Sequence, residues 1–204
     1  MSFYDRFVLP RLLDLVMRNK EVTRYRSQVV PQARGTVVEI GVGSGLNLPF
    51  YGSGVEQLYA VDPSEELLRM ARTKARRANV PVEFLADSGE MLPLEDGCAD
   101  TVVTTFTLCT IPDPLQALRE MKRVLKPGGV LLFAEHGLAP EASVQRWQHR
   151  LNPVWKKVTG GCNLDRKMDA LINAAGLSIV ELQNEYAKGP KPMAYIYVGQ
   201  AVPA

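Results

Sequence analysis

Cysteine and histidine are both scarce in this 204-residue chain, which holds three of the first and two of the second. Cys98, Cys109 and Cys162 are odd in number and contain no CxxC pair, and the histidines lie apart in sequence. That spacing speaks against a zinc site and against a disulfide framework, so no metal-ligand set is expected. A reducing cytoplasm is the compartment that fits such cysteine usage. Long apolar runs are missing as well: nothing approaches the ~18 residues that a membrane-spanning helix needs. The apolar stretch at 7–17 is interrupted by Pro10, Arg11 and Asp14, which also spoils it as a signal peptide. Charge of one sign is not in excess, and a formal net charge of +2 gives no electrostatic case for nucleic acid. Internal repeats, low-complexity tracts and linkers are absent too. The 46% hydrophobic content is therefore expected to build one domain around one core. A local bias exists at the front, where residues 1–34 carry seven Lys or Arg against three Asp or Glu. A solvated helix face explains it; peripheral membrane contact through N-terminal helices, or an anionic substrate, is the sharper alternative.

What stands out is the stretch Val37-Val38-Glu39-Ile40-Gly41-Val42-Gly43-Ser44-Gly45-Leu46-Asn47. A β-branched run ends on an acid, and three glycines follow at alternate positions. Glycine has no Cβ and tolerates positive φ, so such a turn lets backbone pass close to a ligand. A helix opening just beyond would aim its free N–H groups into the same crevice.

The rest of the chain has a regular rhythm. Residues 3–30 read as helical, with apolar pairs at Phe3/Tyr4, Phe7/Val8, Leu12/Leu13 and Val16/Met17, and Pro10 dividing or starting a helix. This segment either packs on one edge of the core or forms a lid over the crevice. Strands are expected at 36–40, 57–61, 82–86, 100–105 and 130–134. Ser64 caps a helix whose first turn carries Glu65 and Glu66, with Leu67, Ala71, Ala75 and Ala78 as its apolar stripe. Asp113-Pro114 opens another, with Gln116 completing a capping box. Alternation of this kind means βαβ units and a parallel sheet with helices on both faces. After Glu135 the rhythm changes to helices near 142–158 and 164–175. Strands at 177–185 and 194–201 then form an antiparallel hairpin at a sheet edge. The chain divides into an N-terminal helical cap (1–34), a ligand-binding half (35–137) and a half with the late helices and hairpin (138–204).

In an open α/β sheet, ligands sit beyond the carboxyl ends of the strands. Glu39 and its glycines, Asp62, Asp87, residues 105–108 and Glu135-His136 all fall at such ends. Asp62 is placed to accept both hydroxyls of a ribose, and Asp87 an exocyclic amine of adenine. The turn runs Gly-x-Gly-x-Gly, not the dinucleotide fingerprint, and Glu39 would repel a diphosphate. An acid there suits an ammonium or sulfonium group.

Four ordered motifs carry a family resemblance: Val38-Glu39-Ile40-Gly41-Val42-Gly43-Ser44-Gly45, Ala60-Val61-Asp62-Pro63-Ser64, Ala86-Asp87-Ser88-Gly89-Glu90 and Leu125-Lys126-Pro127-Gly128-Gly129. Together they resemble those of class I S-adenosylmethionine-dependent methyltransferases, over roughly 35–137. The resemblance implies a Rossmann-like seven-stranded sheet of order 3-2-1-4-5-7-6, mostly parallel with strand seven antiparallel. It implies S-adenosylmethionine as cofactor and S-adenosylhomocysteine as product. On the matching positions, Gly41, Gly43 and Gly45 approach the methionine part, Asp62 holds the ribose, and Asp87 with Ser88 reads the adenine. Thr105 through Leu108 closes the methyl-donor side, and Glu39, Asn47 and Pro63 complete the cofactor contacts.

Residues 105–110, Glu135-His136, Trp147-Gln148, Asn152-Pro153-x-Trp155 and Gly161-Cys162-Asn163-Leu164 resemble a narrower group, the methyltransferase-like alkyl thiol methyltransferases and their bacterial relatives. That similarity implies methyl transfer to a small, apolar thiol. The eukaryotic members begin with a hydrophobic membrane anchor, where this chain has its broken amphipathic segment. His136 is the candidate base or steering dipole, against a histidine satisfied by Glu135 or by a backbone group. Trp147, Trp155 and Cys162 are candidates for the acceptor pocket, against plain core roles, and Cys109 packs after strand four. Three rivals stay open: N- or O-methylation of another metabolite or a phospholipid headgroup, a nicotinamide-dependent oxidoreductase, and a non-catalytic cofactor-binding module.

Overall fold

The computed structural model describes residues 9–204. Seven strands, β1 (Gly35–Ile40), β2 (Val55–Val61), β3 (Val82–Leu85), β4 (Ala99–Thr105), β5 (Leu125–His136), β6 (Leu177–Tyr186) and β7 (Tyr195–Pro203), form one sheet of order β3-β2-β1-β4-β5-β7-β6. The β1–β5 pairings are parallel, whereas β7 runs antiparallel to both β5 and β6. This is the expected order, with the expected terminal hairpin at one edge. Among the described residues, six α-helices accompany the sheet: α1 (Leu9–Val16), α2 (Lys20–Val29), α3 (Glu65–Ala75), α4 (Pro114–Val124), α5 (Ala142–Val158) and α6 (Met168–Ala174). None of the described helices is long and apolar enough to cross a membrane.

Side chains alternate across a strand, so β1 serves two cores at once. Val38 and Ile40 join the cluster that includes Leu118, Met121 and Ile172, while Val37 joins Tyr25, Val29 and Leu132 on the opposite face. Register then aligns the tips. Ile40 pairs with Val61 and with Thr104, and Val61 with Leu85, so the carboxyl ends of β1 to β4 open onto one rim.

Local signals account for most boundaries, and the departures have physical reasons. Pro10 stands in the first turn of α1, as expected of a proline that starts a helix, and a further break falls at 17–19, where Asn19 serves both helices. Its Nδ2 donates to the Val16 carbonyl at 3.0 Å, and its Oδ1 accepts from the Val22 N–H at 2.9 Å. The pairs at Phe3/Tyr4 and Phe7/Val8 lie outside the described residues. In α3 the core side is Leu68 and Ala71 rather than Leu67. At α4, Asp113 caps Gln116 N–H as expected (3.0 Å), but Gln116 does not return the bond. Glu90 takes its place, accepting from Asp113 N–H at 2.6 Å. The helix beginning near 164 starts only at Met168. Strand β5 begins at Leu125 instead of 130: Leu125 pairs with Ala99, then Val130 with Thr101, so the Lys-Pro-Gly-Gly segment bulges from the ladder.

Candidate active site

The turn after β1 is built by backbone. The N–H groups of Gly41 and Val42 both donate to the Val61 carbonyl, at 2.9 and 3.0 Å, holding the loop against the tip of β2. Gly41, Gly43 and Gly45 have φ of 75°, 55° and 79°, in the left-handed region. A Cβ on Gly41 would lie 2.2 Å from Thr107. On Gly43 it would meet nothing closer than 3.9 Å, so that side of the loop is open.

Beyond the turn lies a cavity of about 600 Å³, within the range of small-molecule sites. Its walls come from the strand tips, from α1 and α2 (Leu12, Leu13, Asp14, Met17, Tyr25, Arg26), from Trp155 and Cys162, and from the loop between β6 and β7. Glu39, fully buried, is held by Asn47 Nδ2 at 2.8 Å and by the Tyr51 hydroxyl at 2.9 Å. Burial pushes its carboxyl up to about 7, against the lowering by those two bonds and by the Arg26 charge. Asn47 also donates to Thr105 Oγ1 at 2.9 Å, linking β1 to β4. Asp62 accepts from the Gly43 and Ser64 N–H groups, each at 2.9 Å, and burial still raises its pKa. Arg26 donates to the Met17 carbonyl at 2.7 Å. Burial lowers its pKa to about 10, with Glu39 and Asp14 opposing, so it stays a cation at neutral pH.

The loop after β4 is set by Glu135, whose carboxylate accepts from the Thr104 hydroxyl (2.8 Å) and the Thr107 N–H (2.9 Å). Phe106 within it is the one described non-glycine residue with positive φ, 56°. Left-handed backbone of this kind gathers at functional sites. Glu135 therefore shapes the loop, and it does not satisfy His136. The His136 Nδ1 lies 3.8 Å from Cys162 Sγ, which lies 3.3 Å from Cys109 Sγ. Asn163 clamps this arrangement, its N–H and Nδ2 both donating to the Cys109 carbonyl at 2.8 and 2.9 Å. Of the two thiols, Cys162 ionises first: the bond with Cys109 lowers its pKa, and the same bond together with burial raises that of Cys109.

Buried polar atoms are nearly always paired in folded proteins. Four side-chain atoms among the described residues are not: Arg26 Nε, Asn47 Oδ1, His136 Nε2 and Trp155 Nε1. All four belong to residues lining this one cavity. A polar ligand is what such a cavity calls for, with groups to meet a cation and an anion.

Of the residues singled out in the sequence, Glu39, Gly41, Gly43, Asn47, Asp62, Thr105, His136, Trp155 and Cys162 line the cavity. Gly45 instead permits close packing on α3, where a Cβ would meet Ala71 Cα at 3.0 Å. Leu108 is fully buried in the core. Pro63, Asp87 and Ser88 lie outside the cavity walls, and the Ser88 hydroxyl donates to Glu90 at 2.9 Å. Trp147 is 55% exposed on the outer face of α5 and does not reach the cavity. Asp14 and Arg26 line the cavity and Tyr51 holds Glu39 with no signal in the sequence, because a lone acid, arginine or tyrosine in a helix or loop carries no motif.

Comparison with known proteins gives the same picture. A family model described as "Methyltransferase domain" matches residues 38–133. Thiol S-methyltransferase TMT1B of Rattus norvegicus is 36% identical over 168 residues, covering 80% of this chain and 67% of that protein. Phosphatidylethanolamine N-methyltransferase of Cereibacter sphaeroides is 36% identical over 119 residues, 57% of this chain and 58% of that one. A SAM-dependent methyltransferase from Aquifex aeolicus superposes with a TM-score of 0.67 at 20% identity, over 94% of this chain and 97% of the other. With the strand order, the glycine turn and the relatives in agreement, the chain belongs to the class I S-adenosylmethionine-dependent methyltransferases, close to the TMT1 group, and S-adenosylmethionine is its cofactor.

Proposed function

We propose that this enzyme methylates a small, apolar thiol at sulfur. The observation that carries the reading is the composition of the cavity away from the glycine turn. The walls from 105–110, His136, 155–162 and 187–196 bring Phe106, Trp155, Val158, Met193 and Ile196, with two thiols, an imidazole and Lys188; the carboxylate beside them, Glu21 of α2, is met by Lys188 at 3.8 Å, which leaves no free acid on this side. An amine acceptor would want an acid there to hold its ammonium form; a neutral thiol does not. The relative named as a thiol S-methyltransferase supports the same acceptor. The relative named as a phosphatidylethanolamine N-methyltransferase favours a second reading, a phospholipid headgroup.

The cofactor supplies an electrophilic methyl group when bound. Asp62 would accept from its ribose hydroxyls and the open side of Gly43 would take the methionine part, while Asp87 and Ser88 would meet the adenine only where it extends beyond the cavity walls. Glu39, held by Asn47, which also bonds Thr105, would offset the positive charge. Arg26 would be the cation for the carboxylate. The enzyme contributes alignment and exclusion of water, which can be worth roughly 7–11 kcal/mol. A thiol of ordinary pKa, about 8.5, is already a few per cent ionised at neutral pH. His136, with Nε2 unpartnered, receives or directs the remaining proton, a contribution of about 10²–10⁴-fold.

The test is a panel of alkyl thiols, amines, phenols and phosphatidylethanolamine incubated with S-adenosylmethionine, with S-adenosylhomocysteine as readout. Thiols should turn over first. Asp62→Ala should weaken cofactor binding, and His136→Ala should slow turnover without that loss. Turnover confined to amines or to the phospholipid would sink the thiol assignment, and a silent His136→Ala the proton role.

A further inference from the structure

We propose that Cys109, Cys162 and His136 form a three-ligand site for a soft divalent cation, zinc(II) in the first place, with its fourth position open to the cavity. The side chains come from the loop after β4, the end of β5 and the Gly160-Gly161 turn after α5, and their ligand atoms all lie within 4.8 Å of one another. The spacing of cysteines along the chain gives no hint of this, because three separate segments supply the donors.

Donor chemistry selects the ion. Two thiols and one imidazole with no carboxylate make a borderline-soft set, which suits zinc over calcium or magnesium. Two thiolates neutralise the dication. Zinc–thiolate bonds of about 2.3 Å in a tetrahedron place the sulfurs about 3.8 Å apart. The observed separation of 3.3 Å therefore needs about half an ångström of spreading, and the widest ligand spacing, within 4.8 Å, needs some closing. The glycines before Cys162, with φ of 69° and 106°, leave that strand of chain easy to adjust. All three ligand residues line the cavity, so the fourth position faces whatever occupies it. Three protein ligands with one exchangeable position is the arrangement of catalytic rather than structural zinc.

The site also changes how an acceptor is handled, and this part rests on the thiol reading above. A thiol entering the open position displaces water, binds through sulfur and releases its proton to solvent, leaving a metal-held thiolate inside the cavity. In that form His136 is a ligand and no longer takes a proton.

The experiment uses the reduced, chelator-treated full chain titrated with Co²⁺ and then Zn²⁺. One equivalent of Co²⁺ should give a thiolate-to-cobalt charge-transfer band and intense four-coordinate visible bands, bleached by Zn²⁺. Cys109→Ser and Cys162→Ser should each weaken binding by more than the roughly 10–100-fold that loss of an outer-shell partner costs. His136→Gln should weaken it as well, and Cys98→Ser should leave it unchanged. Circular dichroism and S-adenosylhomocysteine calorimetry check that each variant is folded. Absence of the charge-transfer band, or its persistence in both cysteine variants, overturns the site. So does a Cys109–Cys162 disulfide with no metal uptake after reduction. An alkyl thiol should shift the visible bands of the cobalt form; an unchanged spectrum overturns thiol ligation. If the bands form but no thiol is methylated, the thiol reading fails and the metal site stands.

Discussion

Asp14 of α1 accepts from Lys74 of α3 at 2.8 Å, across the mouth of the glycine turn. The same carboxylate accepts from the Ser44 hydroxyl within the turn and from Arg18 at 2.5 Å, while Lys74 donates to the Ser44 carbonyl at 2.6 Å. The N-terminal helix is thus fastened to the loop that approaches the cofactor. Burial raises the Asp14 pKa, but hydrogen bonds from Lys74, Ser44 and Arg18 outweigh it and hold the carboxyl below its ordinary 3.8. The interaction is therefore complete above that value and is lost only as pH falls through the lowered one. Asp14→Asn keeps the shape and removes the charge. Amide hydrogen exchange over 9–18 should accelerate and cofactor affinity fall several-fold, with little change in global stability. Unchanged exchange there would show that apolar packing alone holds α1 down.

Gly41 and Gly43 separate strain from occupancy. Both need left-handed backbone, which costs an L-residue roughly 1–2 kcal/mol. Gly41→Ala adds a collision with Thr107, whose side chain would lie 2.2 Å from the new methyl. It should lower the melting midpoint and abolish binding together. Gly43→Ala has no such neighbour and should cost stability only the conformational term, yet it places a methyl on the open side of the loop. Calorimetry with S-adenosylhomocysteine should show at least a tenfold loss for a protein that is nearly as stable as the parent. Undiminished binding would remove Gly43 from the cofactor's path.

Arg166 is the strap of the acceptor side. Its Nη1 donates to the carbonyls of Leu108 and Ile111, the latter at 2.7 Å, so one guanidinium fixes the segment that carries Cys109. Hydrogen bonds to a charged group are worth about 1.5–3 kcal/mol each. Arg166 is partly exposed, which puts Arg166→Ala nearer the lower figure in chemical denaturation. Turnover should fall more than cofactor affinity, because Asp62 and the glycine turn are untouched. Equal losses in both would mean that the two ends of the cavity are not independently supported.

The cofactor half was legible because a parallel sheet buries its strands on both faces. Its strands then read as short β-branched runs whose polar residues can only come at the tips. Val37-Val38-Glu39-Ile40 shows this directly: the one acid in the run is fully buried at the rim, and the glycines follow at once. The acceptor half was harder. Trp147 and Trp155 share α5 and look alike in sequence, yet one is solvent-facing and the other lines the cavity. The sequence pattern of α5 does not say which flank meets the loop after β4. Arg26 was silent for another reason. On an amphipathic surface helix a basic residue is ordinarily solvated, and only the packing of α2 against β5 and β7 buries it to 5% exposure.

Glu39 carries the pH dependence. Its carboxyl titrates near 4.5 in the unfolded chain and near 7 in the fold, because burial disfavours the charge. Between those values the native state holds a proton that the unfolded state has released. The Glu39 contribution to stability is therefore greatest below about 4.5 and falls as pH rises to about 7. It is level beyond, for a total of roughly 3 kcal/mol. Glu39→Gln should flatten that part of the pH profile of the melting midpoint. A cation beside the carboxyl reverses the preference and draws its pKa back down, so binding of such a ligand releases a proton. S-adenosylmethionine carries a sulfonium that S-adenosylhomocysteine lacks. Affinity for the methyl donor should therefore rise more steeply than affinity for the product between about pH 5 and about pH 8, and the difference should vanish in Glu39→Gln. Calorimetry in buffers of different ionisation heat measures the released proton directly. Identical pH profiles for the two ligands would place the sulfonium away from Glu39 and leave this buried acid as a structural bridge to Asn47 and Tyr51.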